Sequence, residues 1–177
     1  MRSNVRPLIL GPALLLAGCG GPAVWYAIPE QRPSPAADVA PLPKAFLQMA
    51  DENAPAQFVR DIRTQGGATW RWTGKEPALR LSTPGTHPWK FVADLGISDV
   101  TFQQTGPVTI RVTVNGRLLD VFHFDTPGSR HIEKAVPAGW LSATSDNILT
   151  LAIDKEWVSP DDGARLGFTL QSAGFIR

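Results

Sequence analysis

The chain has 177 residues, with 17 Lys and Arg against 16 Asp and Glu, and a single cysteine. A near-neutral chain without a basic cluster has no electrostatic reason to bind nucleic acid or an anionic surface. One cysteine excludes an internal disulfide.

Arg2 and Arg6 precede an apolar run from Leu8 to Leu16, interrupted by Gly11 and Pro12, and small residues then lead to Cys19. That is the layout of a signal peptide. The run is much shorter than the roughly 20 residues that cross a bilayer, and Gly and Pro weaken it as a helix, so no permanent transmembrane helix is expected. Leu16-Ala17-Gly18-Cys19 resembles the lipobox recognised by bacterial prolipoprotein-processing enzymes. The resemblance implies cleavage before Cys19, a diacylglycerol on its sulfur and an acyl chain such as palmitate on its new amino group. At roughly 0.8 kcal/mol per buried methylene, two or more chains anchor a protein stably. Gly20 stands where an aspartate would signal inner-membrane retention, so the resemblance points to the outer membrane, facing the periplasm. The alternative is an ordinary secreted protein with a stray cysteine. Removing residues 1–18 takes away Arg2 and Arg6 and leaves 15 basic against 16 acidic residues, formally −1.

From Gly20 to Pro43 the chain carries Pro22, Pro29, Pro33, Pro35, Pro41 and Pro43, several alanines and little periodicity. Such a stretch is an extended, partly polyproline spacer, with a reach of about 70 Å at full extension. Trp25 and Tyr26 interrupt it and sit either at the membrane interface or against the domain. Lys44 to Asp51 reads as a short helix, within a 44–57 segment of helix or loop.

From Phe58 to the end the pattern changes to short apolar or alternating runs separated by Gly, Pro, Asn and Asp, which is the pattern of strands. Roughly 120 residues suit one domain. The candidates in chain order are Trp70 to Trp72, Ala78 to Ser82, Trp89 to Asp94, Val100 to Gln103, Val108 to Val114, Arg117 to Phe124, Arg130 to Val136, Ile148 to Asp154 and Leu166 to Gln171. In the clearest of them, Val108, Ile110, Val112 and Val114 alternate with polar residues, so one face is buried. Asn115-Gly116 follows, and both residues tolerate the positive φ of a type I′ turn. A two-residue turn would set Val112 opposite Leu119, Ile110 opposite Val121 and Arg111 opposite Asp120, leaving Phe122 and Phe124 on the face away from that core.

No long amphipathic helix separates these strands. The pattern predicts an all-β domain, two antiparallel sheets packed as a β-sandwich, with a closed barrel as the competing arrangement. Three stretches sharpen this: Trp70-Arg71-Trp72-Thr73 before the apolar strand Ala78 to Leu81; VTVNG at 112–116; and SPDDGARLGFTL at 159–170. Together they resemble the jelly-roll, galactose-binding-like β-sandwiches that accompany bacterial envelope glycan proteins and some sugar transferases. The resemblance spans about residues 58–177. In that family a late loop carries Ser-Pro, an acidic residue and an arginine before Leu-Gly, which here are Ser159, Pro160, Asp162, Arg165, Leu166 and Gly167. The loop is shorter here than in the usual version.

The search for enzyme constellations is negative. His87, His123 and His131 lack metal-ligand spacing, and there is no HExxH, cysteine cluster, GxSxG or phosphate-cradling glycine loop. No catalytic residue, metal site or cofactor is therefore expected. Asp161 and Asp162 are adjacent, which is poor geometry for an acid/base pair. They lack the spacing of a known calcium loop, although an acidic loop in an exported protein is the type of site that takes calcium. The simpler reading pairs Asp162 with Arg165 to pin the loop.

The tryptophans are the remaining candidates. A flat apolar ring stacks on the C–H face of a sugar while neighbouring Asp, Asn and Arg bond its hydroxyls. Most tryptophans in a small sandwich fill its core, so the ligand candidates reduce to Trp157, beside the Ser159 to Arg165 loop, with Asp162 and Arg165, and to Trp70 and Trp72, which share a face. The sequence thus points to a lipid-anchored, non-catalytic envelope protein that binds glycan or assists an envelope polysaccharide system. The alternative is an assembly lipoprotein docking a protein partner through exposed Phe122 and Phe124. A hydrolase would need His123 or His131 bonded to both a Ser and an Asp in one cleft.

Overall fold

A computed structural model of the protein describes residues 43–177. The segments expected as signal peptide and spacer, with Cys19, Trp25 and Tyr26, lie outside the described residues. The strands are β1 (Phe46–Gln48), β2 (Phe58–Gly66), β3 (Arg71–Leu81), β4 (Lys90–Ile97), β5 (Val108–Val114), β6 (Arg117–Phe124), β7 (Gly128–Ala135), β8 (Asn147–Ile153), β9 (Trp157–Val158), β10 (Arg165–Leu166) and β11 (Thr169–Ile176). One helix, α1 (Asp99–Thr105), and a 3₁₀ turn at Ala54–Gln57 complete the fold.

Every strand pairing is antiparallel. The main hydrogen-bonded path runs β6-β5-β8-β3-β11-β4-β7. β3 joins its halves: Arg71 and Trp72 pair with β11, whereas Ala78 to Leu81 pair with β8. The two halves close over one core, to which β5 and β8 contribute Ile110, Val112, Leu149 and Leu151, and β4, β7 and β11 contribute Phe91, Leu95, Ile132, Leu170 and Phe175. The domain is an all-β antiparallel sandwich. Burying side chains of this size stabilises by about 1.5–3 kcal/mol each, which makes this core the main source of stability.

β5 matches its periodicity, with Val108, Ile110, Val112 and Val114 all buried. Asn115 and Gly116 have φ of +49° and +78°, as a type I′ turn requires. The expected register holds for two pairs only, Val114 with Arg117 and Thr113 with Leu118, before a bulge shifts it. Val112 then faces Asp120, Arg111 faces Val121 and Ile110 faces Phe122, in place of the pairs read from the turn. One extra residue in a strand reverses the alternation beyond it. Phe124 is therefore buried and Phe122 packs against the core, which removes them as an exposed docking face. At the bulge Leu119 still packs on the core, and the Asp120 carboxylate lies 2.7 Å from Lys134 Nζ.

Val100 to Gln103, expected as a strand, lies within α1. The Ser98 hydroxyl accepts from the Thr101 N–H at 3.1 Å, Asp99 sits in the first turn, and Gly106 at φ +66° ends the helix. Lys155 Nζ donates to the Thr105 and Pro107 carbonyls at the C-terminal end, where a cation is favoured. Phe46–Gln48, in the segment read as helix, is instead a strand on β11, with Leu47 and the following Met49 buried. Trp72 and Ala78, read as belonging to separate strands, share β3. The expected strand Leu166 to Gln171 is interrupted at Gly167 and Phe168, where the chain bonds to β3: Gly167 N–H donates to the Thr73 carbonyl at 2.8 Å and Thr73 N–H to the Phe168 carbonyl at 2.9 Å. A Cβ on Gly167 would lie 2.6 Å from the Gly74 carbonyl oxygen, so the close approach requires glycine.

Candidate functional site

The residues that the sequence singles out for ligand binding come to one end of the domain, around the start of β3. Trp70 and Trp72 are half-buried, and their rings meet edge to face, centroids 5.7 Å apart at 85°. This arrangement matches the aromatic quadrupoles, positive edge against negative face. The turn before them is held by Arg71, whose Nη1 donates to the Gly67 carbonyl at 2.6 Å and the Trp70 carbonyl at 2.9 Å. Its buried Nε has no partner among the described residues.

β9 and β10 form a small hairpin that the bonds from Gly167 and Phe168 to Thr73 dock beside this pair. Trp157 faces Leu166 across the hairpin; it is half-buried, and its indole N–H has no partner among the described residues. The tip is closed by Ser159 N–H to the Ala164 carbonyl and Gly163 N–H to the Ser159 carbonyl, both at 2.9 Å. Asp162 belongs to this turn. Its Oδ1 accepts from the Ala164 N–H at 3.0 Å, and the hydrogen bond from Ser159, followed by that backbone bond, holds its carboxyl below the usual carboxylate range. The expected Asp162–Arg165 ion pair is absent among the described residues, because the carboxylate is already satisfied within the turn. Arg165 is exposed, and its carbonyl accepts from Arg63 Nη2 at 3.3 Å. Arg63 and Arg165 make no ion pair among the described residues; Arg63 also contributes, after the hydrogen bonds, to holding the Asp162 carboxyl low, and the Arg165 guanidinium is exposed.

No protein-family model matches the chain, and no curated protein matches it either. Solved structures similar to it include a family 35 carbohydrate-binding module from Clostridium thermocellum, at 11% identity and a TM-score of 0.45, over 75% of this chain and 98% of that one. A carbohydrate-binding module, CBM36, in complex with calcium and xylotriose is similar at 12% identity and a TM-score of 0.40, over 74% and 98%. A third, a CBM35 in complex with a disaccharide containing glucuronic acid, is similar at 14% identity and a TM-score of 0.41, over 75% and 92%.

The histidines are placed as follows. His131 Nδ1 lies 2.6 Å from Asp94 Oδ1, and the other carboxylate oxygen accepts from the Ser172 hydroxyl at 2.7 Å. The carboxylate stands in the middle of this row, whereas a nucleophile must bond directly to its base. The row lies across β7, β4 and β11, with His131 and Asp94 roughly half exposed. His131, and after it Ser172, hold the Asp94 carboxyl below its usual range. His123 Nδ1 meets the Thr109 hydroxyl at 3.0 Å across the β5–β6 pair. Among the described residues no group of three or more His, Cys, Asp and Glu is placed to hold a metal ion.

The other end of β3 carries a feature that sequence reasoning missed. The segments 85–89 and 136–143 enclose a pocket of about 440 Å³, with Trp89, His87, Pro88 and Leu141 in its wall. This volume is that of small-molecule sites, typically about 300–1,000 Å³. The signal was present in His87-Pro88-Trp89 and in Pro137-Ala138-Gly139-Trp140, two loops with Pro or Gly beside Trp, but nothing local says that they meet.

Proposed function

We propose that this chain is a lipid-anchored, non-catalytic protein of the bacterial envelope, held by Cys19 at the periplasmic face of the outer membrane, whose sandwich binds glycan. The observation that carries the reading is the half-exposed Trp70–Trp72 pair set beside a hairpin that presents Arg165 and is itself held by Arg63. It combines the two parts that a carbohydrate site needs, an apolar plane for the C–H face of a ring and free donors for hydroxyl or carboxylate oxygens. Trp157 supports this hairpin from its base, and Asp162 shapes its tip. The protein-docking alternative loses its motivating residues, since Phe124 is in the core and Phe122 packs against it.

The test is retention of the mature protein on immobilised envelope polysaccharides and on a glycan array. Wild type is expected to bind, and Trp72→Ala to weaken binding at least about tenfold, on the order of 1.4 kcal/mol. No binding by wild type, or equal binding by Trp72→Ala, defeats the carbohydrate reading. The anchor is tested separately: Cys19→Ser is expected to accumulate as an uncut, unlipidated precursor, and membrane fractionation of a normally matured variant would overturn it.

A further inference from the structure

Trp72 stands at one end of a longer surface. It pairs with Thr169 of β11, and Thr169 pairs with Gly96 of β4, so the three form one row across the sheet. The row faces outward: Leu95, Ile97 and Leu170, their neighbours along the strands, are in the core, and a Cβ on Gly96 would lie 2.7 Å from the Thr169 hydroxyl oxygen. Because β4 occupies one edge of β11 from Thr169 to Ile176, β3 and β1 follow one another along the other edge. On β1, Gln48 pairs with Ser172 and Phe46 with Gly174. Leu47 between them is in the core, so Phe46 and Gln48 face outward with Trp72. Trp72 and Phe46 are thus two half-buried rings on one face, separated by the run from Thr169 to Gly174, roughly 16 Å of strand. The surface between them is polar. The bulge at Gln171 turns its amide over Gly96, 3.8 Å from where a Cβ would lie. His131, Asp94 and Ser172 follow as a hydrogen-bonded row that exposed Gln48 continues. At the far end Phe46 and Gln48 line a groove of about 480 Å³, a volume within the range of small-molecule sites.

The geometry points to a track along β11 and β1, and so to an extended glycan chain, laid from Trp72 to Phe46, as the class of ligand. This inference rests on the glycan reading of the Trp70–Trp72 site and sets the length of what that site takes. The span from Trp72 to Phe46 exceeds one sugar ring, so a single residue or a disaccharide reaches one aromatic end only. A longer chain places rings on both and passes its hydroxyls over the Gln171 and Gln48 amides, each a donor and an acceptor, and over the Ser172–Asp94–His131 row. Charge favours a neutral chain along this stretch. Its ionisable side chains pair among themselves, His131 with Asp94, Lys90 with Glu133 and Lys44 with Asp51, which leaves a charged polymer no open counter-charge. A protein partner fits less well. A peptide strand adds to a free sheet edge, whereas β4 and β11 have their backbone groups engaged with neighbours on both sides, and the two rings are separated by polar groups rather than joined in one apolar patch. Contacts at both ends of one chain act together, so affinity rises with chain length once Phe46 is reached.

The test titrates the full mature protein with xylo-, cello- and chito-oligosaccharides, each from disaccharide to hexasaccharide, by isothermal calorimetry. At least one series is expected to bind at least tenfold more tightly as hexasaccharide than as disaccharide. Phe46→Ala is expected to lose that gain and bind the two lengths alike. Gln48→Ala, at an exposed position where the fold is not at risk, should reduce the gain in the same direction, with circular dichroism confirming that both variants are folded. Trp72→Ala should weaken binding at every length. The track is overturned if no series gains affinity with length, or if both β1 variants keep the full gain. Retention on immobilised envelope polysaccharides separates the two readings. If Trp72→Ala loses retention while Phe46→Ala and Gln48→Ala keep it in full, the track alone is wrong; if wild type is not retained at all, the glycan reading beneath it is wrong.

Discussion

Asn147→Leu is expected to lower the melting temperature by roughly 10–20 °C, a loss on the order of 3–5 kcal/mol, as followed by circular dichroism. Asn147 is fully buried at the start of β8, and its amide satisfies two loops at once. The Nδ2 group donates to the Thr83 hydroxyl and the Ser142 carbonyl, both at 3.0 Å, while Oδ1 accepts from the Ser142 N–H and Asn115 Nδ2, both at 2.8 Å. A leucine of similar volume keeps the packing but removes all four bonds, at about 0.5–1.5 kcal/mol each, and leaves the Ser142 N–H without a partner, whereas the Thr83 hydroxyl keeps its bond to the Ser142 carbonyl and Asn115 Nδ2 its bond to the Trp140 carbonyl. Against a total stability of about 5–15 kcal/mol this is a large fraction. Asn147→Asp separates the two halves of the amide: it keeps the acceptor for Ser142 and Asn115 but turns a charged oxygen toward the Ser142 carbonyl. It is expected to destabilise as well, and more at neutral than at acidic pH, because protonation restores a donor. A leucine variant that melts within about 2 °C of wild type would show that the network contributes little. The same amide fixes the pocket walls, so partial unfolding of these variants should begin at 136–146.

Gly174→Ala is expected to detach β1. A Cβ at this position would collide with the Ala45 carbonyl oxygen and lie 2.6 Å from Phe46 Cα, and both are backbone atoms that no side-chain rotation can move. Relief requires β1 to leave β11. That breaks the bonds from Phe175 N–H to the Ala45 carbonyl and from Met49 N–H to the Gln171 carbonyl, both 2.8 Å, and uncovers Leu47 and Met49. Two such side chains correspond to about 3–6 kcal/mol as an upper bound. Hydrogen exchange at Leu47 and Met49 should accelerate by orders of magnitude before the rest of the domain responds. Gly116→Ala is the control. Its Cβ would meet open space, so only the positive φ opposes it, at about 1 kcal/mol. Equal exchange rates at Leu47 in the two variants would refute the account.

Much of the candidate site was legible because its residues are close in sequence. Trp70 and Trp72 share a face by the period of two, and their edge-to-face contact follows from that spacing. The pairing of Asp162 was misread. A carboxylate three positions before an arginine suggests an ion pair, but the N–H of Ala164 lies closer and costs no side-chain entropy to reach. The pocket at Trp89 was not legible at all. Its two loops are some fifty residues apart, and the Thr83, Ser142 and Asn147 side chains that bring them together look like ordinary loop polarity in the sequence.

What the sequence by itself determined is what repeats within a few residues: the alternation of β5, the positive φ at Asn115 and Gly116, and an all-β domain with no long helix among the described residues. The tertiary structure decided the rest. The bulge at Leu119 moves Phe122 and Phe124 to the core side, because the core offers more to two phenylalanines than unbroken pairing offers to one hydrogen-bond ladder. Phe46 to Gln48 became a strand because β11 had an open edge more than a hundred residues away. Val100 to Gln103 became helix because the Ser98 cap and the Lys155 side chain satisfy its two ends. In each case the deciding partner lies outside the segment's own local pattern, and a contact of that kind has no period along the chain from which to read it.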